Sequence, residues 1–565
     1  MISALLTLPV VVQAQVPAFP GAEGYGSYSK GGRGGKLLIV TNLNDSGPGS
    51  LRDAVEREGP RTILFEVGGI IDLTSSLVIS DPYISIAGQS APDPGITIRG
   101  HQLAVQTHDV VVRFIRFRPG DYLKNKEAEV DWASLDAVDI GLEGSDDVHD
   151  IIFDHCSFSW AMDENIGIWH NSKNITIQNS IISEGLHNPR LNPQTGKALL
   201  IGMLSDSISI LKNLFAHNYE RNPFMNANGH LDFRNNIIYN GGDRVLRFNS
   251  GSGRLQTVNL VNNVVLEGPE SSYSHEIQIR LNSNDIYNGK IYAVGNLSDR
   301  NPRYNSNNWR MVINQQSRTP FPRNARSLKE FSTENTETLP PENLFEVLDS
   351  NIGATLPARD QVDERIIHDV EHKTGEYAAS PGQLFGWPVM AKTYRKIDAD
   401  SSWQRQHNIN LFNPEEAGDD YNKNGYTNLE EFLNETDPHQ DQTDWKRIGI
   451  LATAMDFSPA SIQGEGQGEN STGEEQDDEE PAFRANYPNP FNSTTNIPFR
   501  VKSATAYTLE VINSTGQRVA ILASSTLVPG DYRYTWNADN YPSGVYFVRL
   551  SWPGHSKIQK AVLVK

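Results

Sequence analysis

From residue 108 to residue 300 the chain repeats one short unit and never takes up a helical period. The unit is a β-branched run, an Asn or His, and a second apolar pair. It reads Ile175-Thr-Ile-Gln-Asn-Ser-Ile-Ile, Ile208-Ser-Ile-Leu-Lys-Asn-Leu-Phe, Leu231-Asp-Phe-Arg-Asn-Asn-Ile-Ile and Val258-Asn-Leu-Val-Asn-Asn-Val-Val. Aligned on the Asn, the units fall at Asn179, Asn213, Asn235 and Asn262, in steps of 34, 22 and 27 residues. Ile151-Ile-Phe-Asp-His-Cys-Ser-Phe fits one step earlier, with His155 in the Asn place. Self-similarity at such a period means a solenoid, in which each unit buries its apolar face only against its neighbours. Short strands with no helices between them make it a right-handed parallel β-helix. Asn suits a repeated corner because its side chain tolerates left-handed backbone, and stacked Asn residues can bond one another along the coil. Unequal steps mean that loops of different length leave one side, where a groove is expected.

Composition narrows the function. A net charge of −20 over 565 residues argues against a nucleic-acid binder, which needs a basic face. A single cysteine, Cys156, rules out an intrachain disulfide framework and any Cys-based zinc site. No stretch approaches the ~20 apolar residues of a membrane-spanning helix. Residues 1–15, MISALLTLPVVVQAQ, read as a secretory signal peptide with a small residue near the cleavage point. Residues 16–300 are assigned to the β-helix, 301–412 to an irregular extension packed on it, and 413–440 to an EF-type calcium loop. One short helix is expected in the extension, near Arg359–His372. Residues 441–484 form an acidic linker: Gly464 to Glu480 holds eight acidic residues and no basic one, too little apolar surface to offset the entropy of ordering. Residues 485–565 alternate apolar and polar residues between Pro/Gly turns and predict a small Ig-like β-sandwich of about seven strands.

That last domain carries a resemblance. Asn486-Tyr-Pro-Asn-Pro-Phe-Asn-Ser-Thr-Thr, Val511-Ile-Asn-Ser-Thr-Gly-Gln-Arg-Val and Pro542-Ser-Gly-Val-Tyr-Phe-Val-Arg resemble the C-terminal sorting domain of the type IX secretion system. The resemblance implies the type IX machinery as a partner, and export through the periplasm and outer membrane to the medium or the cell surface. The alternative is a carbohydrate-binding sandwich with Trp536 and Trp552 as its stacking platform.

Three kinds of chemical group stand on the coil. The first is carboxylate: Asp136 and Asp139 in Ser134-Leu-Asp-Ala-Val-Asp-Ile, then Asp163 and Glu164 in Trp160-Ala-Met-Asp-Glu-Asn-Ile-Gly-Ile. Strand alternation would point Asp136 and Asp139 opposite ways, and likewise Asp163 and Glu164. Asp136 and Asp163 lie 27 residues apart, about one coil, and would stack to share a hard cation such as Ca²⁺ through oxygen ligands. A merely solvated acidic face is the alternative. The second and third groups are Lys197 and Arg221, on the next two coils.

These residues carry a second resemblance, to the pectate lyase family 1. The matching stretches are Phe19-Pro-Gly-Ala-Glu-Gly-Tyr-Gly, Gly47-Pro-Gly-Ser-Leu-Arg-Asp-Ala-Val, Ile63-Leu-Phe-Glu-Val-Gly-Gly-Ile-Ile, Ile86-Ala-Gly-Gln-Ser-Ala-Pro, Phe153-Asp-His-Cys-Ser and Arg221-Asn-Pro, in a span from about residue 18 to about 435. The resemblance implies a parallel β-helix enzyme that cleaves polygalacturonate by calcium-assisted β-elimination; a monomer is expected, and an alkaline optimum, because an arginine base accepts a proton only where desolvation and cationic neighbours lower its pKa. By this resemblance Asp136 and Asp163 match calcium-binding carboxylates, Lys197 binds the substrate carboxylate and Arg221 is the base; Asn222 and Asn226 are assigned to the substrate, and either Glu164 compensates for a thinner calcium site or substrate carboxylates complete it. Two positions depart from the family: Gly167 stands where a second carboxylate is found, and Asn226 where a second arginine is found. The readings that compete are a lyase acting on another uronate polymer, a glycoside hydrolase using Asp136 and Asp163, and a non-catalytic carbohydrate-binding β-helix.

Asp420-Tyr-Asn-Lys-Asn-Gly-Tyr-Thr-Asn-Leu-Glu-Glu follows the twelve-residue EF-type loop. Asp420, Asn422, Asn424, the Tyr426 carbonyl and Glu431 are its ligand positions, and Gly425 its sharp turn. Pro414 and Gly418 argue against a helix before it, so the loop is either a lone structural calcium staple or a degenerate loop held by hydrogen bonds.

Overall fold

The computed structural model describes residues 15–440 apart from 127–129, 189–195, 250–254, 281–286, 385, 389 and 398–401, and the strands of the C-terminal unit between 482 and 563. The signal segment and the acidic linker expected at 441–484 lie outside the described residues but for 15 and the pair 482–483. The chain divides into two compact units, Met1–Phe457 and Ser458–Lys565.

In the first unit successive strands climb three sheets in turn. One sheet has ten parallel strands, from Lys36–Val40 to Gly289–Val294. A second has nine, from Leu77–Ile79 to Val312–Asn314. The third runs from Val67–Asp72 to Leu297–Ser298, and Thr393–Tyr394 pairs antiparallel on its edge against Val67 and Gly68. This is the expected parallel β-helix, and crossovers between parallel strands turn right-handed. The coil continues to Asn314, past the boundary at residue 300 where the repeat fades in the sequence.

The coil holds because like residues stack at equivalent positions. Ile151, Ile175, Ile208, Leu231, Val258 and Ile291 pair in register along the first sheet, each at most 1% exposed. Each buried side chain contributes about 2 kcal/mol of transfer free energy, so strands of three to six residues suffice once stacked.

The repeated Asn splits into two adjacent positions. The left-handed corner is occupied by Phe114, His155, Asn179, Lys212, Asn235 and Asn262, with φ between 49° and 57°. The next residue points inward and forms a ladder. Asn213 N–H donates to Asn236 Oδ1 (3.0 Å), Asn236 N–H to Asn263 Oδ1 (2.9 Å), and Asn263 N–H to Asn296 Oδ1 (3.1 Å). Asn213 therefore belongs to the ladder and not to the corner, where Lys212 stands. The alignment at Asn213 is corrected by one residue.

The opening Gly-rich segment lies directly on the outer face of the first sheet. Gly26 N–H donates to Thr176 Oγ1 (2.9 Å), and a Cβ at Gly26 would collide with the Ile151 carbonyl. The extension contributes the expected helix, Gln361–His372, capped by Asp360. Its Ile366 and Val370 cover Ile181, Leu214 and Ile237 on the third sheet. Short helices also occur at Leu344–Leu348, Ser402–His407 and Pro414–Gly418. The last corrects the expectation that no helix precedes the EF-type loop: Pro414 takes the first helical turn, where its missing N–H costs nothing, and Asn413 caps it. No helix among the described residues is long and apolar enough to cross a membrane.

The C-terminal unit has a three-stranded and a four-stranded antiparallel sheet, seven strands among the described residues. Ile497, Phe499, Leu509, Val511, Val548 and Leu550 form its core. Trp536 is 1% exposed in that core, which removes it as a sugar platform.

Candidate active site

The second sheet carries the chemical groups. Strands Val138–Ile140, Glu164–Ile168, Lys197–Ile201, Phe224–Met225 and Leu246–Asn249 lie side by side in that order. Ile166, Ile168, Leu199 and Ile201 fill the coil, so the residues between them face outward. One outward row reads Asp139, Gly167, Leu200, Phe224, Arg247 and Gln278. At the start of the strands a second row alternates in charge: Glu164 pairs with Lys197, Lys197 with Glu220, and Glu220 with Arg244.

Asp136, Asp163 and Glu164 converge, with one ligand oxygen from each within 4.8 Å of the others. The expectation that Asp136 and Asp139, and Asp163 and Glu164, point apart is overturned. Asp136 and Asp163 precede their strands, so strand alternation does not govern them. Asp136 stacks on Glu164 more than on Asp163, because its Oδ1 accepts the Glu164 backbone N–H (2.9 Å). Lys197 Nζ rests on Asp163 Oδ1 and lies 3.8 Å from Glu164 Oε1. Arg221 Nη1 rests on Glu164 Oε1. Thus the two sequence-predicted cations close directly on the predicted carboxylates.

The balance of charge is uneven. Burial pushes the Asp136 carboxyl well above its usual range, and Asp139 and Asp163 add to the push while Lys197 and Arg221 oppose it. Burial likewise raises Asp139 to about 6. Three converging carboxylates, with Asp139 beside Asp136, meet Lys197 and Arg221, an arrangement that a divalent cation would relieve. The donors are all oxygens, as Ca²⁺ prefers, so Asp136, Asp163 and Glu164 fit a calcium ion.

Gly167 has a local reason. A Cβ there would collide with Asp136 Oδ2 and would lie 3.4 Å from Asp139 Oδ1. In this chain the space of a side chain at 167 is taken by the carboxylate of the preceding coil. Asn226 lies on the row beyond and accepts from Asn249 Nδ2 (2.9 Å). Asn222 does not line the groove: it is 1% exposed and its amide donates to the Asn218 carbonyl, which corrects its assignment to the substrate. Arg244 and Arg247 were missed, although Glu220 and Arg244 sit one coil apart at a step of 24 residues. The Arg247 guanidinium stacks 4.5 Å above Phe224, and that of Arg221 5.6 Å from the same ring.

Burial lowers Arg221 to about 10, opposed by Asp163 and Asp136 and helped by Arg247 and Arg244. The neutral guanidine that a proton acceptor needs is thereby brought within alkaline pH.

The EF-type loop is ordered around its ligand positions. Asp420 Oδ2 accepts from Gly425 N–H (2.8 Å), and Asn424 Oδ1 from Tyr426 N–H (2.9 Å). The amides of Asn422 and Asn424 reach Glu431 Oε1 at 3.0 and 2.7 Å. Burial raises Glu431, eased by those two amides and worsened by Asp420. Helix Asn428–Asn434 follows, with a Thr427–Glu430 capping box. The Tyr426 side chain is buried, with Arg33 over its ring, which leaves only its carbonyl as a ligand position.

Residues 485–565 match the family model described as the secretion system C-terminal sorting domain. Among curated proteins, the "Probable pectate lyase C" of Aspergillus flavus is 39% identical over 256 residues, 45% of this chain and 55% of that protein. That of Emericella nidulans is 32% identical over 360 residues, 62% of this chain and 75% of that protein. The chain thus spans little more than half the length of the Aspergillus flavus relative. Among solved structures, Jun a 1, the major allergen of cedar pollen, is 17% identical with a TM-score of 0.43, covering 59% of this chain and 92% of its own. At 32% identity over three quarters of the Emericella nidulans protein, this chain belongs to the pectate lyase family.

Proposed function

We propose that the protein is a secreted pectate lyase that cleaves polygalacturonate by calcium-assisted β-elimination, leaving unsaturated oligogalacturonides. The observation that carries this reading is the convergence of Asp136, Asp163, Glu164, Lys197 and Arg221 on one outward strip of the coil. A glycoside hydrolase would need only the carboxylates and would leave Lys197 and Arg221 without work. The sorting domain supports export to the medium or the cell surface, by way of the periplasm, outer membrane and type IX machinery.

In the elimination, Lys197 pairs with the carboxylate of the uronate unit and holds its C5–H toward Arg221. Neutral Arg221 takes the C5 proton. The electrons of the C5–H bond become the C4–C5 double bond, and the glycosidic oxygen leaves C4 with its bond pair and takes a proton from water. Lys197 is positioned where negative charge grows on the substrate carboxylate, so it stabilises the transition state more than the ground state. Bound Ca²⁺, held by Asp136, Asp163 and Glu164, supplies further positive charge to that carboxylate.

The test follows ultraviolet absorbance of unsaturated uronates from de-esterified polygalacturonate, with calcium and then with chelator. A calcium-dependent rise supports the reading; no rise on this polymer overturns it. Gly167→Asp, which restores the family's carboxylate, is expected to weaken the site because the added carbon displaces Asp136. The calcium needed for half-maximal rate rises about tenfold, measured by titration of the initial rate.

The reading includes a second, structural calcium at Asp420, Asn422, Asn424, the Tyr426 carbonyl and Glu431. The support is the closeness of Asp420 and Glu431, two like charges bridged by Asn424, whose backbone N–H donates to Asp420 Oδ1 (3.2 Å) and whose amide donates to Glu431 Oε1 (2.7 Å). Chelation lowers the melting midpoint by about 5 °C, and Glu431→Gln removes most of that calcium dependence, measured by calorimetry.

A further inference from the structure

We infer that Trp169 is a stacking platform for a pyranose ring, a sugar subsite beside the carboxylate cluster. The inference rests on the reading of an acidic polysaccharide as substrate. Trp169 follows the strand Glu164–Ile168, and its indole Nε1 lies 3.2 Å from the place of a Cβ on outward-facing Gly167, which puts the ring on the outer face. Its N–H donates to the Ile140 carbonyl, and the Gly202 N–H donates to the Ile168 carbonyl, so Gly141 and Gly202 flank Trp169 on the adjacent coils.

The glycines let the indole lie flat. A Cβ at Gly202 would meet Cδ2 of the indole at 2.6 Å and Cζ3 at 2.8 Å, and would collide with Cε3. A Cβ at Gly167 would lie 3.2 Å from the indole Nε1. The ring is therefore laid over bare backbone from Gly202 to Gly167, and a side chain at Gly202 would lift it. A tryptophan used for packing covers apolar side chains; this one covers a glycine bed and remains partly exposed.

Its position gives it an occupant. The Nε1 edge ends at the point bordered by Asp136 and Asp139, and Asn226 is the next residue of the row beyond Gly202. A polymer whose carboxylate is held at Lys197, with its C5–H toward Arg221, thus brings a neighbouring sugar ring over the indole. One face of a galacto-configured pyranose presents the C–H groups of C3, C4 and C5. That apolar face suits the negative face of an aromatic ring, while hydroxyls and the carboxylate stay at the edge for polar partners.

The experiment compares the full chain with Trp169→Ala, Trp169→Phe and Gly202→Val on polygalacturonate with calcium. Trp169→Ala raises KM about tenfold and leaves kcat within about threefold, because platform binding is shared by ground and transition states. Trp169→Phe recovers most of the KM. Gly202→Val, which displaces the ring without removing it, repeats the KM loss and decides the matter if Trp169→Ala does not fold. A wild-type chain that cleaves normally while Trp169→Ala or Gly202→Val keeps its KM within about twofold overturns the platform and leaves the lyase standing. A wild-type chain that yields no unsaturated product overturns both.

Discussion

Arg221→Ala lowers kcat on polygalacturonate by about a thousandfold, the usual range for a lost proton-transfer group, with KM changed far less. The side chain stands between Glu164 and Phe224, on the coil next to that of Lys197. A guanidinium is ordinarily always protonated. Here burial brings it down to about 10, with Arg247 and Arg244 pushing the same way. The sign follows directly: the neutral, proton-accepting form grows tenfold per pH unit until about pH 10 and then levels. The rate–pH profile should therefore climb on the alkaline side and flatten near pH 10. Arg221→Lys should move the break without removing the climb. A profile flat between about pH 6 and 10 would exclude Arg221 as the base. Measuring the wild type and Arg221→Ala across this range, with calcium saturating, separates lost chemistry from lost binding.

Asn236→Ala should be the most destabilising single truncation in the coil, at about 4 kcal/mol. Asn236 is fully buried and all its polar atoms are engaged. Its Oδ1 accepts from the Asn213 N–H and amide (3.0 and 3.1 Å), and its Nδ2 donates to the Ile210 carbonyl (2.8 Å) and Asn263 Oδ1 (3.1 Å). Truncation leaves these groups buried without partners, and dehydrated polar groups cost far more unpaired than they contribute when paired. Asn262→Ala, at the neighbouring left-handed corner, loses only backbone tolerance and one bond to Leu339, about 1–2 kcal/mol. Urea midpoints of the two variants distinguish the ladder from the corner. Equal losses would mean that the ladder carries no more than the corner does.

Much of the site was legible in the sequence because a solenoid converts sequence distance into spatial distance. Asp136, Asp163, Lys197 and Arg221 stand about one coil apart, and coils stack at the ~4.8 Å spacing of strands. Residues one period apart therefore meet whatever lies between them. Glu164 entered instead as the neighbour of Asp163 that compensates for Gly167. The spacing would also have reached Arg244, one coil beyond Glu220, had the row been followed further.

Other features were not legible, for identifiable reasons. The period assigns a residue to a coil but leaves its phase open by one position. Lys212 and Asn213 exchange corner and ladder on that account. Asp136 escaped strand alternation because its strand begins at Val138. Asn222 looked like a groove residue from its place beside Arg221, yet its side chain turns inward to the Asn218 carbonyl. Pro414 read as a helix breaker, whereas at the first turn it is tolerated.

The sequence by itself determined the architecture and the chemistry: a coil of stacked short strands, an acidic cluster, a lysine and an arginine on consecutive turns, and a separate export domain. The coil follows from local periodicity, the chemical groups from residue type and spacing, and the export domain from motifs that resemble a known sorting domain; none of these needs knowledge of neighbours. The tertiary structure alone decided what fills each space between coils. The Asp136 carboxylate takes the place of a side chain at Gly167, and Gly202 makes room for the Trp169 ring. Both depend on which side chains lie beside one another across the stack. That lateral register is set by packing of the whole core, so no single stretch of sequence contains it.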